Sequence, residues 1–320
     1  MIQLKQVSKR YGDIVALDQI DLSVQDGECV VLIGPSGCGK STLLRSINRL
    51  VDLDEGEILV NGQNISNYKA EDLRRQLGYC IQGVGLFPHL SVYDNIAIVP
   101  QLLKWDKTRI IDRIDTLMDL TGLPKTYLTK KPHELSGGEA QRVGVCRALA
   151  ADPSILLMDE PFGAVDPMTR EQIQLAFRKI QHELKKTVLF VTHDMEEAIL
   201  LADRIAIMHK GKILSLQTPG GLVKGKQDAF VNEFIGADYP LRLLKRYTLS
   251  DLEVIKVDQD SSKIPLSSLN EFSTTKEILS EILQSGSQEI MIQKQDKSKV
   301  IITYDALIEL LRKVLNNEIV

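Results

Sequence analysis

The segment Val30 to Thr42 reads Val-Val-Leu-Ile-Gly-Pro-Ser-Gly-Cys-Gly-Lys-Ser-Thr, and no other stretch restricts the fold so sharply. Val30 to Ile33 is a continuous β-branched and aliphatic run, the pattern of a strand buried on both faces. Gly34 to Ser41 then fits G-x-x-x-x-G-K-[ST], and Ser41-Thr42-Leu43-Leu44 opens a helical pattern. A strand, a glycine-rich loop and a helix in this order form a phosphate-binding loop. Gly34, Gly37 and Gly39 let the backbone turn its N–H groups onto a triphosphate, and the helix N-terminus adds the positive end of its dipole. Gly34, Pro35, Ser36, Gly37, Cys38, Gly39, Lys40, Ser41 and Thr42 are therefore the expected nucleotide-binding residues. Lys40 is expected on the β- and γ-phosphates, and the Ser41 hydroxyl on Mg²⁺.

The rest of the composition narrows the setting. At 320 residues the chain has room for about two domains. The net charge of −4 provides no basic excess for nucleic acid. No run approaches the roughly 20 apolar residues of a membrane span, and Met1 to Lys5 lacks the apolar stretch of a signal peptide. Cys29, Cys38, Cys80 and Cys146 have no metal-ligand spacing and read as free thiols of a cytoplasmic protein.

Along the chain, Ile2, Leu4 and Val7 alternate as in a strand that ends at the Tyr11-Gly12 turn, and Asp18 to Val24 gives a second strand. A helix over 41–50, a strand over 56–60, a short helix over Ala70 to Gln76 and a strand over Leu77 to Gln82 follow. From Gly83 to about Ala150 the character is helical, with Ile110, Ile111, Ile114, Leu117, Met118 and Leu120 at helical spacing. Apolar strands recur at Ile155 to Met158, Val188 to Val191, Arg204 to Met208 and Lys212 to Leu216, with helices over 170–185 and Met195 to Ala202. The alternation predicts an α/β fold: a parallel sheet covered on both faces, interrupted by a helical subdomain at about 83–150.

Beyond Gly236 the pattern changes to a small α+β unit. A basic helix over Arg242 to Tyr247 and a loop at Gln259 to Ser262 precede a helix capped by Thr274, with Ile278, Leu279, Ile282 and Leu283 on one face. Strands over Glu289 to Gln293 and Lys299 to Thr303 lead to a last helix, capped by Asp305 and carrying Leu307, Ile308, Leu311 and Leu315. Residues 241–320 hold 11 Lys+Arg against 12 Asp+Glu, so they form no polybasic membrane tail. The expected division is 1–240 and 241–320.

Two further motifs carry chemistry. Ile155 to Glu160 is an apolar strand ending in two adjacent acids, at the strand tip where an open α/β sheet places its ligand. Asp159 is expected as an outer ligand of Mg²⁺, and Glu160 as the group that orients or deprotonates the attacking water. Leu135-Ser136-Gly137-Gly138-Glu139-Ala140-Gln141-Arg142 places a serine and two glycines before a helix, a second cradle for phosphate. Ser136 and Glu139 also have the spacing of a capping box.

A phosphate loop, then LSGGE, then LLMDEP resembles the ATPase subunit of ATP-binding cassette (ABC) transporters over about residues 1–236. The resemblance implies an ATP hydrolase with a P-loop core, using ATP and Mg²⁺. By the same match Tyr11 stacks on adenine and Gln82 ligates Mg²⁺. Asp166 lies in a loop that signals between protomers, and His193 contacts the γ-phosphate. The catalytic group is thus Glu160, His193, Lys40 and Gln82, and the metal group Ser41, Gln82 and Asp159. Glu139 stands where many members carry Gln, a frequent variant. The family's head-to-tail dimer implies a homodimer in which Ser136, Gly137 and Gly138 close on the ATP held by the partner. It also implies integral membrane permease subunits that hold the chain at the cytoplasmic face of the membrane, an indirect link to an extracellular solute-binding protein or domain, and no nucleic acid. Gln82 and the segment Gly85 to His89 are expected to face the permease.

The segments Arg147 to Pro153, Met158 to Pro167 and Phe234 to Asp238 resemble the subgroup serving importers of glycine betaine, carnitine and choline. The same ATPase would also suit ergothioneine, an amino acid or another small organic solute, and a non-transport ABC ATPase is the further alternative. The tail's helix–strand–strand–helix order resembles a single degenerate CBS module, with a regulatory role or a packing role both open.

Overall fold

The computed structural model describes residues 1–83, 85–223, 228–252, 255–256, 264, 266–296 and 298–315. The chain divides into two compact units, Met1–Leu216 and Gln217–Val320.

In the first unit, strand β1 (Ile2–Tyr11) pairs antiparallel with β2 (Ile14–Val24). The β3 strand (Cys29–Ile33) leads through the glycine loop into helix α1 (Lys40–Ile47). Next come β4 (Glu55–Val60), β5 (Gln63–Asn64), α2 (Ala70–Gln76) and β6 (Leu77–Cys80). Three helices follow, α3 (Val92–Leu102), α4 (Lys107–Leu120) and α5 (Gly137–Leu149). The unit closes with β7 (Ile155–Asp159), α6 (Pro167–Glu183), β8 (Thr187–Thr192), α7 (Met195–Leu201), β9 (Arg204–His209) and β10 (Lys212–Gln217).

The strands form two sheets rather than the single parallel one expected. The order β2-β1-β4-β5 is antiparallel, and the order β10-β9-β3-β8-β7-β6 is parallel from β9 through to β6. Composition separates them. β3 and β7 are buried at every residue, as strands covered on both faces must be. β1 and β2 alternate because one face meets the core and the other does not. The core runs between the sheets through Ile2, Leu4, Leu17, Leu32, Leu43, Ile47 and Leu157.

In the helical subdomain Ile110, Ile114, Leu117 and Met118 are buried, whereas Ile111 is exposed and Leu120 half-buried. The buried stripe is narrower than the apolar pattern. All four cysteines are free and buried, and burial pushes the Cys80 and Cys146 thiols up to about 12. No helix among the described residues is long and apolar enough to cross a membrane.

The second unit contains α8 (Ala229–Ile235), α9 (Tyr239–Leu243), β11 (Ile255–Lys256), α10 (Thr275–Ser285), β12 (Glu289–Gln293), β13 (Lys299–Thr303) and α11 (Tyr304–Leu315). The basic helix expected over Arg242 to Tyr247 is instead the end of α9 followed by a 3₁₀ turn, Leu244–Arg246. β11 adds a third strand to the expected hairpin, in the antiparallel order β11-β13-β12. Thr274 caps α10 in a capping box with Glu277. On α10 Ile278 and Ile282 are buried, but Leu283 is 66% exposed, so the expected four-residue face is half the size. Asp305 does not cap α11: it lies inside the first turn, and the Ala306 N–H donates to Thr303 Oγ1 (3.2 Å). The buried stripe of α11 is Leu307, Leu310 and Val314, with Ile308 and Leu311 half-buried. The Gln259 to Ser262 loop and the Leu315 side chain lie outside the described residues.

Candidate active site

Backbone close approach shapes the loop after β3. A Cβ on Gly34 would lie 2.1 Å from the Met208 carbonyl oxygen, and one on Gly39 would lie 2.3 Å from that of Ala16. Gly39 also has φ +111°, outside the range of L side chains. Neither position therefore tolerates a side chain, and the loop is pressed against β9 and β2. Gly39 is the N-cap of α1 and supplies no side-chain cap, so the amides of the first turn are left for an anion. Buried Lys40 turns back over the loop, its Nζ donating to the carbonyls of Gly34 (2.7 Å) and Pro35 (3.0 Å).

Ser41 Oγ donates to Asp159 Oδ1 (3.0 Å) across the sheet, from α1 to the end of β7. Asp159 is 1% exposed, and its Oδ2 has no hydrogen-bond partner among the described residues. Burial holds this carboxyl above the usual carboxylate range, against the opposing hydrogen bond from Ser41. A buried carboxylate oxygen without a donor is costly unless a cation meets it. The donor set fits Mg²⁺: the Ser41 hydroxyl, the Asp159 carboxylate and the Gln82 amide oxygen are all hard oxygen ligands. Among the described residues no cluster of three His, Cys, Asp or Glu side chains forms a resident metal cage. Such a sparse set suits an Mg²⁺ that shares its shell with phosphates.

Glu160 follows at once, with φ +48°, a conformation costly for a non-glycine residue. Its N–H donates to the Val191 carbonyl (2.9 Å). Its carboxylate accepts from Gln82 Nε2 (3.2 Å), and its other oxygen lies 3.4 Å from His193 Nδ1. Three residues expected from three separate motifs thus meet at one carboxylate. Phe162 anchors the loop behind it, packed on Phe190 of β8 and Phe177 of α6 at centroid distances of 5.8 and 6.2 Å.

The other expected residues occupy definite places. Tyr11 ends β1 and is 49% exposed, with Lys9 Nζ 5.5 Å from its ring. Its hairpin reaches the phosphate loop through Ala16, beside Gly39. Ser136 caps α5 in the expected capping box: the Glu139 N–H donates to Ser136 Oγ (3.3 Å), and Glu139 Oε2 accepts from the Ser136 N–H (2.7 Å). That backbone donor chiefly holds the Glu139 carboxyl below its usual range. Asp166 caps α6, accepting from the Thr169 N–H (3.0 Å). Among the described residues no hydrogen bond joins Ser136, Gly137 or Gly138 to the Lys40 loop of the same chain.

Four positioning residues escape a reading by motif. Buried Gln141 links α5 to the backbone around Glu160. Arg170 Nη2 donates to the Val165 carbonyl (2.8 Å) and fixes the loop before Asp166. Glu197 on α7 is buried, and burial pushes its carboxyl up to about 7; it accepts from Gln174 Nε2 (2.8 Å). Asn95, fully buried on α3, bonds the backbone of Phe87, Leu90 and Ser91. A lone buried amide or acid on an amphipathic helix leaves no periodic signal. Only Gln141, two residues beyond LSGGE, stood next to one.

Residues 17–163 match the family model described as ABC transporter. The chain is 46% identical over 267 residues to the glycine betaine/carnitine/choline transport ATP-binding protein of Bacillus subtilis (strain 168), covering 83% of this chain and 68% of that one. It is 48% identical to the glycine betaine uptake system ATP-binding protein of Escherichia coli (strain K12), covering 78% of this chain and 82% of that protein. Among solved structures it resembles the dimeric ATP-binding cassette MJ0796 in a post-hydrolysis state with ADP and Pi. The TM-score is 0.64 at 33% identity, over 68% of this chain and 98% of that one.

Proposed function

As a member of the family of ABC transporter ATP-binding subunits, this chain is an Mg²⁺-dependent ATP hydrolase, and we propose that it energises an importer of quaternary-ammonium osmoprotectants such as glycine betaine, carnitine or choline. The convergence of Gln82 and His193 on the Glu160 carboxylate, beside the Ser41–Asp159 pair, carries the hydrolytic reading. The solute class rests on the relatives, whose names specify betaine, carnitine and choline transport.

In this reading Lys40 leaves the loop carbonyls to meet the β- and γ-phosphates, and the amides of Gly34 to Thr42 cradle them. Pro35, Ser36, Gly37 and Cys38 supply the turn. Ser41, Gln82 and Asp159 would hold Mg²⁺, which would supply positive charge to offset that of the phosphates. Glu160 orients the water and takes its proton, while His193 senses the γ-phosphate. Tyr11 stacks on the adenine. The Ser136-Gly137-Gly138 turn, exposed at Ser136 and Gly137, lies outside the chain's own site, which suits closure on the ATP of a second copy, with Asp166 near the join.

Phe87 is 42% exposed on a loop fixed by Asn95 and by Arg147, whose Nη1 donates to the Gly85 carbonyl (2.8 Å). An exposed apolar side chain on this hydrogen-bonded loop, five residues after Gln82, suits the cytoplasmic helix of an integral membrane permease. That contact would hold the subunit peripherally at the membrane and link it indirectly to a solute-binding protein. The β11-α10-β12-β13-α11 order supports a single CBS-like module. Its exposed Phe272 and Leu283 suit pairing with a second copy, as a regulatory element.

Glu160→Gln tests the core of this reading. Loss of general-base help is expected to lower turnover by roughly 10² or more, while ATP binding persists and a stable ATP-bound dimer accumulates on size-exclusion chromatography. Undiminished hydrolysis would remove Glu160 from its role.

A further inference from the structure

We propose that Gln141 is a positioning residue that carries closure at one ATP site of the dimer to the catalytic carboxylate at the other. The inference rests on the reading in which Ser136–Gly138 close on the partner's ATP and Glu160 activates water on its own. Gln141 stands on α5, one helical turn or about 6 Å along the axis from Gly137, and is 3% exposed. Both ends of its amide are committed to backbone. Nε2 donates to the Glu160 carbonyl (2.7 Å), and Oε1 accepts from the Ala164 N–H (2.6 Å).

The side chain is thus a two-pronged strut between the helix that starts at Ser136 and the segment from Glu160 to Ala164. A second contact runs in parallel: a Cβ on Gly138 would lie 3.1 Å from the Ala164 carbonyl oxygen and 3.3 Å from Val165 Cα. The first turn of α5 is therefore seated directly on the loop that leads to Asp166. Glu160 is the one residue in this segment held at positive φ, at +48°. A backbone in so sparsely populated a region keeps its conformation only while its neighbours hold it. Gln141 grips the carbonyl of that very residue. A rigid-body shift of α5, when Ser136–Gly138 engage a phosphate, is transmitted through the amide to the peptide after Glu160, and so to the direction of its carboxylate.

The residue type follows from the task. One side chain must donate to a carbonyl and accept from an N–H at fixed separation, which among side chains of this length only the glutamine amide does. Methionine keeps the volume and loses both bonds. Glutamate keeps the acceptor for Ala164 and loses the donor for Glu160.

The test compares Gln141→Met and Gln141→Glu in the full-length protein, alone and combined with Glu160→Gln. Steady-state ATP hydrolysis of each single variant is expected to lose roughly 10- to 100-fold in kcat, the cost of misplacing a reacting group by less than an ångström. KM for ATP should stay within about threefold, since the phosphate loop is untouched. The double variants should still form the ATP-bound dimer at the nucleotide concentration that suffices for Glu160→Gln alone. Turnover within twofold of the parent in either folded variant overturns the strut. Dimer formation lost in step with turnover also overturns it, because Gln141 would then only build the interface. Retained turnover in Glu160→Gln alone refutes the role of Glu160, a separate failure.

Discussion

Glu197→Gln is the substitution whose effect the structure sizes most directly. Glu197 is 6% exposed, and burial raises its pKa from 4.5 to about 7. Hydrogen bonds from Thr192 and Gln174 and the charge of Arg170 oppose that rise, while the nearby Asp194 carboxylate reinforces it. An acid whose folded-state pKa is raised stabilises the fold fully below its unfolded pKa. That stability is lost as pH climbs through the folded value. The window is therefore pH 4.5 to about 7. At 1.36 kcal/mol per pKa unit, the charged form costs about 3 kcal/mol above it. Glutamine has the same shape and cannot ionise, but reorganising its amide is expected to cost about 1 kcal/mol. The variant should be about 1 kcal/mol less stable than the parent at pH 4.5 and about 2 kcal/mol more stable at pH 8, a swing of about 3 kcal/mol. Urea denaturation followed by tryptophan fluorescence reads this, because the chain's one tryptophan, Trp105, lies in the same unit. Parallel stability–pH curves for variant and parent would refute the reasoning.

Three further outcomes follow from the same geometry. Asp159→Asn removes a buried charge that lacks a full set of partners, so the nucleotide-free protein should melt higher at pH 7.5. The Mg²⁺ needed for half-maximal hydrolysis should rise roughly tenfold, and an unchanged Mg²⁺ requirement would remove Asp159 from the metal site. Phe87→Cys should cross-link to cysteines in cytoplasmic loops of the permease in an assembled transporter, and absence of any cross-link counts against the docking role. Deleting residues 241–320 should leave basal hydrolysis intact while altering its response to salt or added adenine nucleotide. A truncated protein that keeps the full-length responses in reconstituted membranes would reduce the tail to a packing element.

The sequence was most readable where the physics is local. β3 could be placed from an unbroken apolar run and the loop after it from glycine spacing. Helix α2, strands β12 and β13, and the caps at Ser136 and Thr274 likewise depend only on neighbours along the chain. The two-sheet arrangement did not, because β1 pairs with β4 across the whole of β2, β3 and α1, and nothing in an alternating strand specifies its partner. Leu283 and Ile111 were misplaced for one reason: two adjacent stripes on a helix were apolar, and packing buried one. Asp305 misled because two residues earlier stood Thr303, an equally good cap. The motif residues around Glu160 were named individually from a resemblance, and their meeting at one carboxylate is a property of the folded sheet.

That meeting has a physical logic. Gln82 follows β6, Glu160 follows β7 and His193 follows β8, three strands that are consecutive neighbours in the parallel sheet. Parallel strands end at the same edge, so the residue just past each tip faces the same space. Glu160 alone among the three is bent to positive φ, and its peptide is held from behind by Gln141 and from beside by Val191. Gln82 leads toward the exposed Phe87 loop, His193 toward α7 with Glu197, and Gln141 toward Ser136. Under the proposed function, the carboxylate is where the segments assigned to the permease, the γ-phosphate and the partner's ATP come together. Under that proposal, hydrolysis depends on all three segments being in register around Glu160. Turnover is thus tied, in the same proposal, to the engagement of partners through three neighbouring strand tips of one sheet.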